Sequence, residues 1–405
     1  MNDTSATLEA PRLSQALASR HVTMITIGGI IGAGLFVGSS AAIAGAGPAV
    51  IVSYALTGCL ILLVMRMIGE MAMAMPSIRS FTEFARAGLG HGAGFTVGWL
   101  YWYFWVIVVP IEAIAGAAIL KDWIPLPEWQ LGCALMLVMT GVNLVSTKAY
   151  GEFEFWFASI KVAAIIAFIL LAGAHAAGFS GSGGHTLGNL TAHGGFAPKG
   201  ALAVLAAVVT VIFSMMGAEI ATIAAVESKE PARAVARMTS SIILRIMVFY
   251  VGSIAVIVCV LPWNTVVPSH SPFTQALDAV GIPFASTIMA WIILTAVLSC
   301  LNSAVYVASR VLFVLGHHGD APRWLVQTNS RQVPSNSVLL ACGAGFAGVF
   351  AAILSPDLVF AFLVNASGAL ILAIYLTIAM AQLRVRRAAE RAGKPPVALR
   401  MWFFP

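Results

Sequence analysis

Two stretches of this chain combine glycines with apolar residues in a way that regular helices avoid. The first reads Ile27-Gly28-Gly29-Ile30-Ile31-Gly32-Ala33-Gly34-Leu35-Phe36. Gly28, Gly29, Gly32 and Gly34 fall within seven residues, and each glycine costs a helix about 1 kcal/mol relative to alanine. A helix so loaded is expected to unwind, leaving backbone N–H groups bare at the start of the next helical segment. Such donors, backed by the positive end of the helix dipole, can hold a carboxylate. The competing reading is a seam of small residues along which helices pack closely. A dinucleotide loop is excluded, because no strand precedes these glycines.

The second stretch reads Phe213-Ser214-Met215-Met216-Gly217-Ala218-Glu219. Interrupted apolar segments in matching positions of two halves point to a binding site between them. Three ionisable residues lie inside apolar runs: Glu112, Lys161 and Glu219. A charge at membrane depth costs at least about 2.5–3.5 kcal/mol, so each is a candidate for coupling or gating. Glu219 follows the second stretch directly; its bland alternative is a role at a helix end. For Lys161 the alternative is snorkelling to the inner interface. Glu112 follows Pro110 by two positions, and its alternative is a structural partner or an outer-interface residue.

The elements that must carry these residues follow from composition. Of 405 residues, 60% are hydrophobic and 9% are charged, against about 25% charged in soluble domains. A water-facing surface cannot be built from so few charges, whereas a lipid-facing one can. The expected fold is therefore an all-α integral membrane protein. Ten apolar runs of spanning length are placed at 22–44, 49–73, 95–119, 127–147, 155–175, 200–226, 242–261, 286–309, 336–355 and 358–382. The Gly45-Ala46-Gly47-Pro48 run separates the first two, since Gly and Pro end helices. With the N-terminus inside, all but Lys121 and Lys199 of the 22 lysines and arginines fall on the inner side or the adjoining span ends. That asymmetry fixes the expected orientation. The glycine-bearing stretches fall in the first and sixth spans, which predicts two five-helix repeats, 22–175 and 200–382, inserted with opposite polarity. A cytoplasmic tail, 1–21, precedes them and a basic segment, 383–405, follows.

The net charge of +6 does not indicate nucleic acid, because the basic residues sit in short clusters between apolar runs. Cys59, Cys133, Cys259, Cys300 and Cys342 all lie in apolar runs and form no CxxC pair, so they read as packing. His175, His185 and His193 border a Gly/Ser-rich external loop and read as solvated rather than metal-binding. Trp99, Tyr101, Trp102, Tyr103 and Trp105 read mostly as an interfacial belt, with one or two of them walling a site. Ser299, Asn302 and Ser303 read as inter-helix hydrogen bonders or as pathway lining.

At GGIIGAGLFVG, FSMMGAEI and AAVESKEPARA the sequence resembles the amino acid–polyamine–organocation transporters. Within that superfamily it is similar to the bacterial 4-aminobutyrate permease group through SRHVTM, LFVGSSAAIAGAGPAV, GWLYWYFWV, YGEFEFW, GAEIATIAAVES, SCLNSAVYVASR, HGDAP and LRMWFFP. The resemblance covers essentially the whole chain. It implies a leucine-transporter-type 5+5 inverted-repeat core in which helices 1 and 6 are interrupted. It implies that the amides of Gly32, Ala33 and Gly34 meet the substrate carboxylate. Carbonyls around Gly28 and Ile30, with Phe213 and Ser214, would take the amine, and Gly217 would permit close approach. Lys161 would stand where relatives place a sodium ion, implying proton coupling, and Glu219 would serve gating or proton transfer. The superfamily normally has twelve spans. This sequence ends in Met401-Trp402-Phe403-Phe404-Pro405, which looks like the opening of span 11, so spans 11 and 12 are expected to be missing from it.

The resulting expectation is a secondary transporter of the bacterial inner membrane. It would import 4-aminobutyrate with a proton, driven by the proton gradient and without a cofactor or metal. Its partners would be that substrate, protons and lipid. Proline and aliphatic or aromatic amino acids stay open as alternative substrates. A membrane-embedded enzyme would need a nucleophile–base or metal set, and no HExxH, GxSxG or paired intramembrane aspartates occur. A receptor or uncoupled channel would have no use for Lys161 and Glu219.

Overall fold

The computed structural model describes residues 31–75, 78, 81–145, 147–179, 186–217, 246–402 and 404. Among them every regular element is a helix. The chain begins with two short helices, α1 (Ala33–Phe36) and α2 (Ser39–Ala46), and a long one, α3 (Val50–Ala74). Gly47 makes the corner before α3 with φ of 68°, a left-handed conformation that glycine adopts without strain. Pro48 follows it in a turn of 3₁₀-helix, Gly47–Ala49.

An amphipathic helix α4 (Phe81–Leu89) leads into α5 (His91–Lys121), then α6 (Glu128–Val145) and α7 (Thr147–Ala176). The second half holds α8 (Gly200–Ser214), α9 (Ile246–Val260), α10 (Pro272–Val280), α11 (Ala285–His317), α12 (Ser335–Ala351) and α13 (Pro356–Arg391). The first seven residues of α9 are π-helical.

Six of the described stretches are long and apolar enough to cross a membrane: Ala33–Ala74, His91–Lys121, Glu128–Val145, Glu154–Ala176, Ala285–His317 and Pro356–Arg391. Helices α8, α9 and α12 are apolar but shorter. Three helices fall where the sequence reading placed only connections: α4, α10 and the four-residue Asn189–Ala192. Helix α13 also runs past residue 382 to Arg391, because Ala388, Ala389 and the arginines around them are good helix formers.

Helix α5 is the interior post. It packs against α11, α13, α12, α6 and α4, and 78% of its most apolar window is buried, against 22% for α6. A helix apolar all round belongs inside, and its neighbours then carry the outward face. That outward face is apolar too: Trp156, Leu170, Leu202 and Leu358 are all exposed, as a lipid-facing surface requires. Small residues allow the closest crossings. At Gly368 on α13, an added Cβ would collide with the Val209 carbonyl of α8.

Candidate functional site

Helix α1 begins at the point where the glycine-rich stretch enters the described residues. Gly32 is its N-cap, with extended rather than helical backbone. The Gly32 carbonyl accepts the Leu35 and Phe36 amides at 3.2 Å each, closing a single tight turn. The Ala33 amide, one residue into that turn, donates to both carboxylate oxygens of Glu112, at 3.1 and 3.0 Å. Glu112 comes from α5, two residues after Pro110, and is buried. A carboxylate thus rests on one of the amides at which sequence reading expected a substrate carboxylate. The burial of Glu112 excludes the outer-interface alternative, while its bonds to Ala33 fit the structural-partner one.

The second stretch meets the first directly. Helix α8 ends at Ser214, whose carbonyl accepts the Tyr250 hydroxyl of α9 at 2.8 Å. Beyond it Gly217 has φ of 101°, which only glycine adopts freely. An added Cβ at Gly34 would lie 2.7 Å from Ser214 Cα and 3.0 Å from the Phe213 ring. An added Cβ at Gly32 would lie 2.6 Å from both Cys300 Cβ and Glu112 Oε1. The glycines therefore let the α1 backbone approach α8 on one side and α11 on the other. The packing-seam reading of the glycine cluster holds here, and the Ala33 amide beside that seam is taken by the Glu112 side chain. Gly28, Ile30 and Glu219 lie outside the described residues.

Lys161 is fully buried on α7, so snorkelling does not describe it. Its Nζ donates to Ser299 Oγ at 2.7 Å, and Ser299 Oγ donates to Glu154 Oε2 at 2.6 Å. The Glu154 Oε1 atom stands 3.8 Å from Lys161 Nζ. Ser303 adds a longer hydrogen bond to Glu154 Oε2 at 3.4 Å. One turn away, Asn143 of α6 donates to Asn302 at 2.7 Å. The polar residues of α11 thus bind α6 and α7 at a buried level, as inter-helix hydrogen bonders do.

Ser299 and Cys300 join the two centres through adjacent positions of α11. Cys300 and the Glu112 carboxylate flank the same point, the space that a side chain at position 32 would need. The result is a buried set of one ammonium and two carboxylates on α5 and α7, with α11 between them and the Ala33 amide of α1 at one end.

Sequence reading missed three members of this site. Glu154 stands in a polar-looking YGEFEFW run at the start of α7, next to a second glutamate, and nothing in that run separates the buried carboxylate from Glu152. Tyr250 is one aromatic among many. Cys300 was read as packing and instead faces Glu112. His175, read as solvated, is buried at the end of α7. The aromatic run of α5 splits by face: Tyr101 and Trp105 are buried while Tyr103 is half exposed. Phe104 approaches Phe213 with ring centroids 6.4 Å apart.

A cavity of about 950 Å³ opens between α5, α10, α11 and the start of α13. Val37, at the junction of α1 and α2, is on its wall, as are Ile114, Asp122, Gln275 and Asp278. It opens beside the junction of α1 and α2, at the end of the bundle that holds Lys121.

The amino acid permease family model matches residues 21–405. The chain is 47% identical to the gamma-aminobutyric acid permease of Bacillus subtilis, over 97% of this chain and 84% of that protein. It is 49% identical to a probable GABA permease of Pseudomonas aeruginosa, over 97% and 83%. It is 38% identical to the aromatic amino acid transport protein AroP of Corynebacterium glutamicum, over 97% and 86%.

Proposed function

The chain belongs to the amino acid permease family, and we propose that it imports 4-aminobutyrate together with a proton across the bacterial inner membrane. It is a multi-pass membrane transporter, not an enzyme. The substrate rests on identities of 47–49% over nearly the whole chain to permeases named for gamma-aminobutyric acid. The aromatic amino acid carrier stands further off, at 38%.

We assign the core to two inverted five-helix repeats, 22–175 and 200–382, with the N-terminus in the cytoplasm. The support is the distribution of lysine and arginine and the contact of the Gly32–Gly34 segment with the end of α8 at Ser214. A broken helix from each repeat then meets at the centre, where secondary transporters bind their cargo.

The observation that carries the site is the Ala33 amide bonded to the Glu112 carboxylate. A backbone donor buried beside α5 and already satisfied by a carboxylate is one that a substrate carboxylate can take over. Substrate binding at Gly32, Ala33 and Gly34 is therefore an exchange of one carboxylate for another. The amine end would reach toward Phe213, Ser214 and Gly217, with Gly28 and Ile30 carbonyls on the facing side. In 4-aminobutyrate three methylenes separate the charged groups, so the amine reaches farther along the end of α8 than in an α-amino acid. The small side chains of Ser214 and Gly217 leave room for it. Lys161 and Glu219 complete the coupling and gating set, and the proton gradient supplies the driving force.

Competition for uptake of labelled 4-aminobutyrate tests the assignment. 4-Aminobutyrate and 5-aminovalerate compete well, while alanine and bulky α-amino acids compete poorly, because a polar site that loses one partner leaves a buried group unpaired. Equal competition by alanine would overturn the substrate and leave the permease assignment standing.

A further inference from the structure

Lys161 is fully buried, and an ammonium in an apolar interior is costly unless it is paired. Its neighbours remove that cost. Glu154 Oε1 is 3.8 Å from Nζ, and the Ser299 hydroxyl accepts from Lys161 while donating to Glu154. Both side chains are fully buried on the same helix, seven residues or two turns apart, so their spacing is held by α7 itself. Removing the proton from Lys161 would leave Glu154 as an uncompensated buried charge, which is strongly unfavourable.

We propose that Glu154 is a positioning residue that keeps Lys161 charged against Ser299, leaving Glu112 as the carboxylate that binds and releases the transported proton. This rests on the carboxylate-exchange reading of the site and adds to it the identity of the proton carrier.

Charge balance leads to the same residue. With Lys161 protonated and both glutamates ionised, the described set carries one excess negative charge. One proton on a carboxylate neutralises it. Glu154 holds its charge through the Lys161 ammonium and the Ser299 and Ser303 hydroxyls. Glu112 relies on the Ala33 amide. When a substrate carboxylate takes the Ala33 amide, Glu112 loses its backbone donor while it stays buried. A proton from the aqueous side then open converts its carboxylate to the acid. The substrate enters as a zwitterion of zero net charge, so the bound state gains the single positive charge of the proton. Release reverses both steps: the substrate carboxylate leaves, Glu112 gives up the proton and returns to Ala33. Substrate and proton are coupled because they require the same displacement.

The readout is the number of protons taken up per substrate bound. It comes from calorimetric titration of the purified protein with 4-aminobutyrate in two buffers of different ionisation enthalpy. The unmodified protein takes up one proton, and Glu112→Gln takes up none. Glu154→Gln alone weakens binding and lowers the thermal midpoint, whereas Glu154→Gln combined with Lys161→Met recovers the midpoint and still takes up one proton. Proton uptake that persists in Glu112→Gln, or that disappears in the double variant while substrate still binds, assigns the proton elsewhere and overturns the proposal. Where the variants do not bind substrate, infrared difference spectra of the unmodified protein decide. A carboxylic acid C=O band that grows on substrate addition supports the displacement, and the absence of such a band contradicts it. If 4-aminobutyrate does not bind the unmodified protein at all, the substrate assignment falls. The same measurements with the amino acid it does bind then test the proton carrier separately.

Discussion

Gly34→Ala is the sharpest perturbation of the contact between α1 and the end of α8. The added methyl would lie 2.7 Å from Ser214 Cα and 3.0 Å from two carbons of the Phe213 ring. Carbon atoms pack comfortably at about 3.5–4.0 Å, so something must yield by nearly an ångström. The Phe213 ring can rotate a little, but the Ser214 Cα is backbone, and its carbonyl is tied to Tyr250. The strain therefore falls on the separation of α1 from α8. Overpacking of this kind costs about 1–3 kcal/mol, which corresponds to roughly 5- to 150-fold in an equilibrium constant. The assay is initial-rate 4-aminobutyrate uptake, normalised to the amount of folded protein measured by fluorescence-detected size exclusion. Gly343→Ala is the matched control, because a Cβ there meets nothing within 4 Å. We expect Gly34→Ala to lose most of its uptake while Gly343→Ala keeps it. Wild-type uptake by Gly34→Ala at equal protein would show that the glycine does not hold the two segments together.

Other perturbations bear on the surrounding elements. Tyr250→Phe removes the hydroxyl on the Ser214 carbonyl and should raise the apparent KM by roughly tenfold, for a buried acceptor left unpaired at about 1–3 kcal/mol; an unchanged KM would separate Tyr250 from the substrate site. Lys161→Ala should abolish uptake and lower the thermal midpoint, since Glu154 is left as an unpaired buried charge at about 3–5 kcal/mol; full activity would exclude Lys161 from coupling. Gly368→Ala should reduce the yield of monodisperse protein, because its methyl would collide with the Val209 carbonyl; normal yield and activity would mean that α13 shifts freely against α8.

The helices were legible because their cause is one-dimensional. An apolar run of spanning length is a helix in lipid whatever surrounds it, and the Gly-Pro corner at residues 47 and 48 marks its own position. The amphipathic helices α4 and α10 were missed because their apolar residues are interleaved with polar ones and never form a spanning run. At the site, Gly32, Ala33 and Gly34 stood out because glycine is costly in a helix. Glu112 and Lys161 stood out because charge is costly in lipid. What a sequence does not carry is which of these faces which. Glu112 reaches Ala33 across 79 positions of chain, and Ser299 reaches Glu154 across 145. Glu154 escaped notice for the complementary reason, since a carboxylate close to the start of a helix looks like an ordinary interfacial residue until its burial is known.

The central claim is that this permease moves 4-aminobutyrate with a proton. Its most direct test is accumulation of labelled 4-aminobutyrate by proteoliposomes under an imposed proton gradient in sodium-free buffer. We predict accumulation above the external concentration that collapses when a protonophore is added. No accumulation under the proton gradient, or accumulation that appears only with sodium, would contradict the account.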